Sequence, residues 1–367
     1  IEGIILVDGS CDELSKRVEL GGRSVIIVAP SLITFILLSI RLAAGQTQAS
    51  HLDWQQVTSI APVESSLVFA MPPAIGLVKQ PANAVKDFVD GKVPQVVEPS
   101  PVSHPDSIPA GCEVGGLEAA PHGARLIVML GCGDELGGPL QVVNSATGEA
   151  KLIGLDFEPG SIFLNWSPTG NEVLIRANIL GDPRIYLVHV GSGKATPLNV
   201  PADAYDAAIS ADGKRIVYSL TRGLGFGSQL WLAEIDGNNA QLVIQDATHI
   251  IAYARFSPVD DKIAYIRMAD SNIPFTVGEL WVMNADGSNA MMLGQADAGH
   301  GYIPNWSPDG TQVAFVYRDN GDNIVADQLA DRLTSNIYVA DVNSGVVQAV
   351  TKFADTLVEA SVWSPDG

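Results

Sequence analysis

The sequence of 367 residues predicts an all-β fold, a β-propeller of four-stranded blades, preceded by one hydrophobic helix. Three observations predict it: a hairpin signal that returns every 43 to 59 residues, a second hairpin signal in step with it, and an aromatic residue at a fixed place before the first turn. Two hairpins per interval make four short strands, and four short strands at this period are the signature of a propeller blade.

The first hairpin is clearest in "NWSPDGTQVAFVY" at 305–317, where an apolar strand end meets a Ser-Pro-Asp-Gly turn and a strand alternating around Val313 and Phe315. Asp-Gly between two alternating apolar runs is a strong short-range hairpin signal. It recurs as "NWSPTGNEVLI" from Asn165, "AISADGKRIVYSL" from Ala208, "ARFSPVDDKIAYI" from Ala254 and a truncated "VWSPDG" from Val362, with weaker forms from Glu118 and Ile60. The second hairpin is "ELWVMNADGSNAMML" at 279–293, and its turn returns as "VDGKV", "NSATGEA", "VGSGKA", "IDGNNA" and "VNSGVV". Six blades are countable in 54–367 together with the first strand of a seventh: a weak one at 54–110, five clearer ones at 111–360, and a start at 361–367.

The residue types suit a blade. With strands lettered A to D from the inside outward, strand A ends in Trp166, Phe256, Trp306 or Trp363, and strand C carries Trp231 and Trp281. Rings at that regular spacing are expected to pack between blades, each burying about 150 to 250 Å². In Ser-Pro-Asp-Gly the Pro presets φ and the Gly accepts a positive φ, so Asp309 and Asp366 are expected to serve the turn and not a reaction.

Ahead of the repeats, 24–40 is a 17-residue stretch without a charge, with Lys16, Arg17 and Arg23 before it and Arg41 after it. Basic residues on the N-terminal side place that side in the cytoplasm and the rest across the membrane. The length is at the lower limit for a span, and Ala43, Ala44 and Gly45 offer a cleavage site, so 24–44 is expected to be a signal peptide or a single anchor. Residues 1–23 then form a stub, 45–53 a linker, and the remainder an exported domain, periplasmic or extracellular. Cys112 and Cys132 flank the hairpin at "PHGA" and fall within one residue of facing each other, which fits a cross-strand disulfide or two buried thiols.

The stretches "WSPDG…VAF" and "LWVMNADGSNAMML" resemble the TolB-like β-propeller repeat family, over about 60–367. The resemblance implies the fold and a non-covalent binding role, since that family is defined by its repeat and not by a chemistry. A separate α/β domain ahead of the propeller, as in TolB itself, is not read here.

Strands of a blade run up and down, so A–B and C–D turns share one end and B–C and D–A connections the other. The first set is short and stereotyped. The B–C set varies: "CGDELGGP", "ANILGDP", "SLTRGLGFGSQ", "RMADSNIPFTVGE" and "RDNGDNIVADQLADRLTS". Variable loops on a rigid scaffold carry function, so this end is the expected partner face, through Arg222, Phe226, Arg267, Phe275, Arg318, Asp322 and Asp327, with His300 and Tyr302 toward the inside.

With 41 acidic against 21 basic residues, a net charge of −20 and no basic cluster, nucleic acid is not an expected partner. "HVGSGKAT" lacks the first glycine and the hydroxyl of a phosphate loop, and "GLGFGS" has the wrong spacing for a dinucleotide site. No catalytic or metal motif calls for a cofactor. The "NWS" triplets at Asn165 and Asn305 are followed by Pro on strand ends expected to be buried, which argues against glycosylation. The expected function is therefore a non-catalytic propeller binding a protein, peptide or glycan at the cell envelope. Its rivals are the propeller of a larger enzyme resembling the prolyl oligopeptidase class and the ectodomain of a single-pass sensor.

Overall fold

The computed structural model describes the strands of residues 3–101 by their backbone, and from 108 onward all but 123, 133–138, 155–156, 159, 274–275, 298–302, 319–333, 351–357 and 364–367; side chains of 113–116 and 358–362 are not described. The chain divides into two units, 1–155 with 362–367 and 156–361.

The fold is an all-β propeller of four-stranded blades, and five blades are described. Blade 1, in the first unit, comprises Cys112–Ala119, Arg125–Cys132, Leu140–Asn144 and Ala150–Ile153. The second unit holds blade 2 (Ile162–Trp166, Glu172–Ile179, Asp182–His189, Lys194–Pro197), blade 3 (Ala204–Ile209, Arg215–Thr221, Ser228–Glu234, Gln241–Asp246), blade 4 (His249–Phe256, Lys262–Ala269, Val277–Asn284, Met291–Asp297) and blade 5 (Asn305–Trp306, Gln312–Arg318, Ser335–Asp341, Val347–Ala349). In each the four strands pair antiparallel in chain order. Five blades are described where the repeats suggest six and the start of a seventh; the copy at 60, whose turn lacks both the serine and the glycine, is the most degenerate. Ser59–Val63, Ser66–Met71, Ala74–Lys79 and Ser100–Pro101 form a ladder described by backbone alone.

The hydrophobic helix expected over 24–40 is not what the backbone there adopts. Ser24–Ala29 and Thr34–Leu38 are strands paired with each other, and Gly3–Val7 pairs with the first. Val25, Ile26, Ile27 and Val28 are β-branched and Pro30 cannot continue a helix, which favours extended chain. Among the described residues no helix is long and apolar enough to cross a membrane. The expected linker at 45–53 lies outside the described residues.

Why the sequence builds blades is visible in burial. The middle of strand B has neighbouring sheets on both faces, so it reads as an unbroken apolar run: Val173, Leu174 and Ile175 are buried, as are Ile216, Val217, Ile263 and Ala264. One core joins Leu174 and Ile185 of blade 2 to Ile209, Ile216 and Tyr218 of blade 3. A second joins Val217 and Leu230 to Phe256, Ile263 and Tyr265 of blade 4, and a third joins Ala264 and Leu280 to Val313 and Phe315 of blade 5. The ring residues pack as their spacing predicts: Trp166 and Phe256 are buried, and strand C presents Trp231 and Trp281 stacked on Tyr218 and Tyr265 of strand B, ring centres 6.4 and 6.5 Å apart. The registers place each of those pairs directly opposite.

In blades 2 to 5 the serine before the A–B turn is the turn's internal anchor. Ser167, Ser210, Ser257 and Ser307 are buried. The Ser307 hydroxyl donates to Asp309 Oδ1 at 2.6 Å and accepts from the Gln312 amide at 3.0 Å. Ser210 does the same with Asp212 and Arg215. Bonds from Ser307 and the Thr311 amide hold the Asp309 carboxyl below its ordinary range, so this Asp serves its turn.

Strand A of blades 1 to 4 carries an irregular register, consistent with an inner strand that must coil more tightly than its neighbours. In blade 4 the bulge puts Tyr253 at φ 55° and brings Arg255 to Asp206 of blade 3, Nη1 to Oδ2 at 3.0 Å. Further bonds tie inner strands together: the Ile209 amide donates to Asn165 Oδ1 at 3.0 Å, and Trp306 Nε1 to the Arg255 carbonyl at 2.9 Å. Asn165 thus spends its side chain inside the fold.

Cys112 and Cys132 are directly opposed on strands A and B of blade 1 and joined by a disulfide, Cα to Cα 4.0 Å.

A candidate binding face at the B–C ends of blades 2 to 4

The B–C connections of the second unit differ in construction. In blade 2 the ladder runs to its tip, Ile179 opposite Asp182, leaving a two-residue turn of Leu180 and Gly181 with φ of 53° and 79°. Two positive φ values define a type I′ turn, for which Asn-Gly is the favoured pair. Leu180 stands in the Asn place and is 90% exposed. Glu158, from the preceding D–A connection, accepts from the Gly181 amide at 3.0 Å and from the Asn178 side chain. Replacing Leu180 with Asn should therefore raise stability by about 1 kcal/mol. A urea midpoint that stays put or falls would show that Leu180 is not strained.

In blade 3 the connection 222–227 is glycine-rich and firmly based. Thr221 Oγ1 donates to the Gly227 carbonyl at 2.9 Å, and the Gly227 amide donates across to Asp270 Oδ2 of blade 4 at 2.7 Å. Ser228 adds a second tie, donating to the His249 carbonyl at 3.0 Å and accepting from the Ile251 amide at 2.7 Å. Above this base Arg222, Leu224 and Phe226 face solvent.

Blade 4 contributes a half-buried charge cluster. Arg267 Nε lies 2.9 Å from Asp246 Oδ2, its Nη1 lies 3.0 Å from Glu279 Oε2, and its Nη2 lies 2.9 Å from His249 Nδ1. Trp281 Nε1 donates to the same Glu279 oxygen at 2.9 Å. Burial raises the Asp246 carboxyl, but the Thr248 amide, the His249 ring and Arg267 outweigh it and hold the group well below the carboxylate range. Burial likewise works against Glu279, and Trp281 and Arg267 prevail and lower it. A carboxyl lowered in the folded chain stabilises above its unfolded value, about pH 4, and loses that contribution as the pH falls toward the folded value. Urea unfolding between about pH 4 and pH 2 should thus weaken more steeply in the native chain than in Asp246→Asn. Parallel slopes would remove Asp246 from the acid limb.

The expected site residues separate accordingly. Arg222 and Phe226 are exposed on one loop, Arg267 is committed to ion pairs, and Arg318 is 1% exposed, inside the fold. Phe275, His300, Tyr302, Asp322 and Asp327 lie outside the described residues. Sequence reasoning missed Leu180 and Leu224. The available signal was a large apolar residue at each tightest point, in "NILGDP" and "RGLGFG".

At the opposite end of blade 4, Asp260, Asp261, Lys262, Asn284, Ala285 and Asp286 line a depression of about 320 Å³. Its carboxylates are engaged: Asp260 with Lys262, Asp261 with Arg215 at 2.6 Å, and Asp286 with Ser288 at 2.6 Å. Among the described residues no group of His, Cys, Asp or Glu is arranged to hold a metal ion.

A β-propeller with anchored turns at one end and irregular loops at the other defines the structural class. Within that class the fold matches TolB-like propellers. The chain superposes on a TolB-type protein from Agrobacterium tumefaciens with a TM-score of 0.50 and 21% identity, covering 68% of this chain and 86% of that one. TolB from Acinetobacter baumannii gives a TM-score of 0.51 at 12% identity, over 98% of this chain and 82% of that one. An oligogalacturonate lyase from Vibrio parahaemolyticus gives 0.53 at 10% identity, over 78% and 75%. Similarity at these identities is similarity of fold, and the fold is shared by a lyase. No protein-family model matches the chain, and no curated protein does.

Proposed function

We propose that the chain is an exported, non-catalytic propeller that binds a protein, peptide or glycan through the B–C and D–A end of its blades. The observation that carries this reading is the contrast between the two ends. The A–B and C–D turns engage their polar side chains within the turn or with a neighbouring one, as Ser307 does with Asp309 and Asp261 with Arg215. The B–C loop at 222–227 is fixed at its base and turns its large side chains outward. Such a loop loses little conformational freedom on binding, which favours affinity. The Cys112–Cys132 disulfide supports export, because such bonds persist in oxidising compartments.

The test is to screen the purified protein on peptide and glycan arrays and to repeat each hit with Arg222→Ala/Phe226→Ala and with Val259→Ala, which alters an exposed residue of an A–B turn. Loss with the first variant and retention with the second is expected. The reverse pattern would move the binding face to the other end, and turnover of an arrayed substrate would replace the binding reading with an enzymatic one. Amino-terminal sequencing and intact mass of the protein from fractionated cells test export.

A further inference from the structure

Four large apolar side chains stand in solvent at the B–C ends of three successive blades of the second unit: Leu180 (90% exposed), Leu224 (61%), Phe226 (70%) and Ile273 (38%). Single exposed apolar residues are ordinary, but these rest on built supports. Leu180 occupies a left-handed position that Asn or Gly would hold without strain. Leu224 and Phe226 alternate with Gly223, Gly225 and Gly227, all at positive φ. The bond from the Gly227 amide to Asp270 joins that loop to the blade 4 connection that carries Ile273. Strain at Leu180, and a glycine-rich loop that presents Leu224 and Phe226 without strain, point to a use for these apolar groups.

The charge around these tips is acidic. Glu158 and Asp203 lie on D–A connections of this end and Asp270 on the connection that carries Ile273, whereas Arg184 and Arg267 are held by Asp182, Asp246 and Glu279. Arg222 remains as a cation in no ion pair among the described residues. The whole chain adds its net charge of −20, which attracts cations and repels an anionic lipid surface.

We infer that this end of the second unit docks a cationic amphipathic segment of a partner protein, its apolar side chains on Leu224, Phe226 and Ile273 and its Lys or Arg groups toward Glu158, Asp203 and Asp270. The inference rests on the binding face proposed above and adds the chemistry of the partner. Apolar tips supply the desolvated contact, and the carboxylates set orientation and encounter rate.

The probe is a labelled helical peptide with Leu on one face and Lys on the other, compared with a Lys/Ser peptide of the same charge and a Glu/Leu peptide of the opposite charge. Fluorescence anisotropy at physiological salt is read for the native chain, for L224S/F226S and for V259S, all substitutions of exposed side chains. The Lys/Leu peptide should bind about tenfold or more tightly than either control, L224S/F226S should abolish that preference, and V259S should leave it intact. Equal binding of the Lys/Leu and Lys/Ser peptides, or a change of less than about twofold in L224S/F226S, would overturn the proposal while leaving the choice of end open. Weakening by V259S alone would overturn both. Phosphatidylglycerol vesicles bound through Phe226, or self-association lost in L224S/F226S, would assign the tips to a membrane or to a second copy and overturn the partner proposed here.

Discussion

Arg255→Met should cost about 3–5 kcal/mol of stability. Arg255 and Asp206 sit on adjacent inner strands with side chains only 11% and 7% exposed. The guanidinium also donates to the Ala254 carbonyl at 2.8 Å. Removing it leaves the Asp206 carboxylate desolvated and without its counter-charge, which is far more costly than the pair is beneficial. Met keeps the length of the stem, so cavity formation contributes little. Replacing both residues, Asp206→Leu with Arg255→Met, should recover much of the loss. Urea unfolding of the four chains of that cycle gives the coupling directly. A single-variant loss below about 1 kcal/mol would show that water reaches the carboxylate and that the pair is not a clamp.

Gly227→Ala should cost about 2–4 kcal/mol and loosen the loop at 222–227. A Cβ there would lie 2.0 Å from the Asp246 carbonyl oxygen and 2.6 Å from the Ala247 carbonyl carbon. Both are backbone atoms where the fourth strand of blade 3 ends, so neither can rotate away. The residue also has φ 64°, which Ala adopts only with strain. The loop base must then lift, and the bond to Asp270 is lost with it. At Gly223 and Gly225 an added Cβ meets nothing within 4 Å, so those substitutions cost only the φ penalty, about 1 kcal/mol. Hydrogen exchange of the Gly227 amide, fast in the variant and slow in the native chain, reports the same event locally. A Gly227→Ala chain as stable as Gly225→Ala would mean that the base has room to move.

The fold was readable in the sequence wherever each blade repeats its own physical needs. The buried serine recurs in blades 2 to 5, with a turn glycine, a ring before the turn or both, because those A–B hairpins must satisfy the same backbone groups and fill the same gap, as at Ser210 and Ser307. Where the chain has no such local need the reading failed. The apolar run at 24–40 carries helix and strand signals together, and hydropathy weighed more than the β-branched residues and Pro30 that favour strands. The site was half legible. Arg222 and Phe226 follow from loop variability, but nothing in the sequence says that Arg267 meets Asp246 and Glu279, since that cluster joins positions 21 and 12 residues away through the register of two blades. Arg318 has the same composition signal as Arg222 and the opposite exposure, because charge alone does not tell the end of a strand from the tip of a loop.

The hairpin of blade 2 keeps every rung of its ladder up to Ile179 and Asp182, and only Leu180 and Gly181 lie beyond the last one. Every rung that pairs the two strands therefore lies below the tip, where the one bond is that of the Gly181 amide to Glu158. A foreign segment spliced between those two residues would leave the ladder intact, and its closure entropy would grow by only about 0.6 kcal/mol for each doubling of its length. Recognition could be re-written there by insertion alone, with the blade acting as an inert carrier.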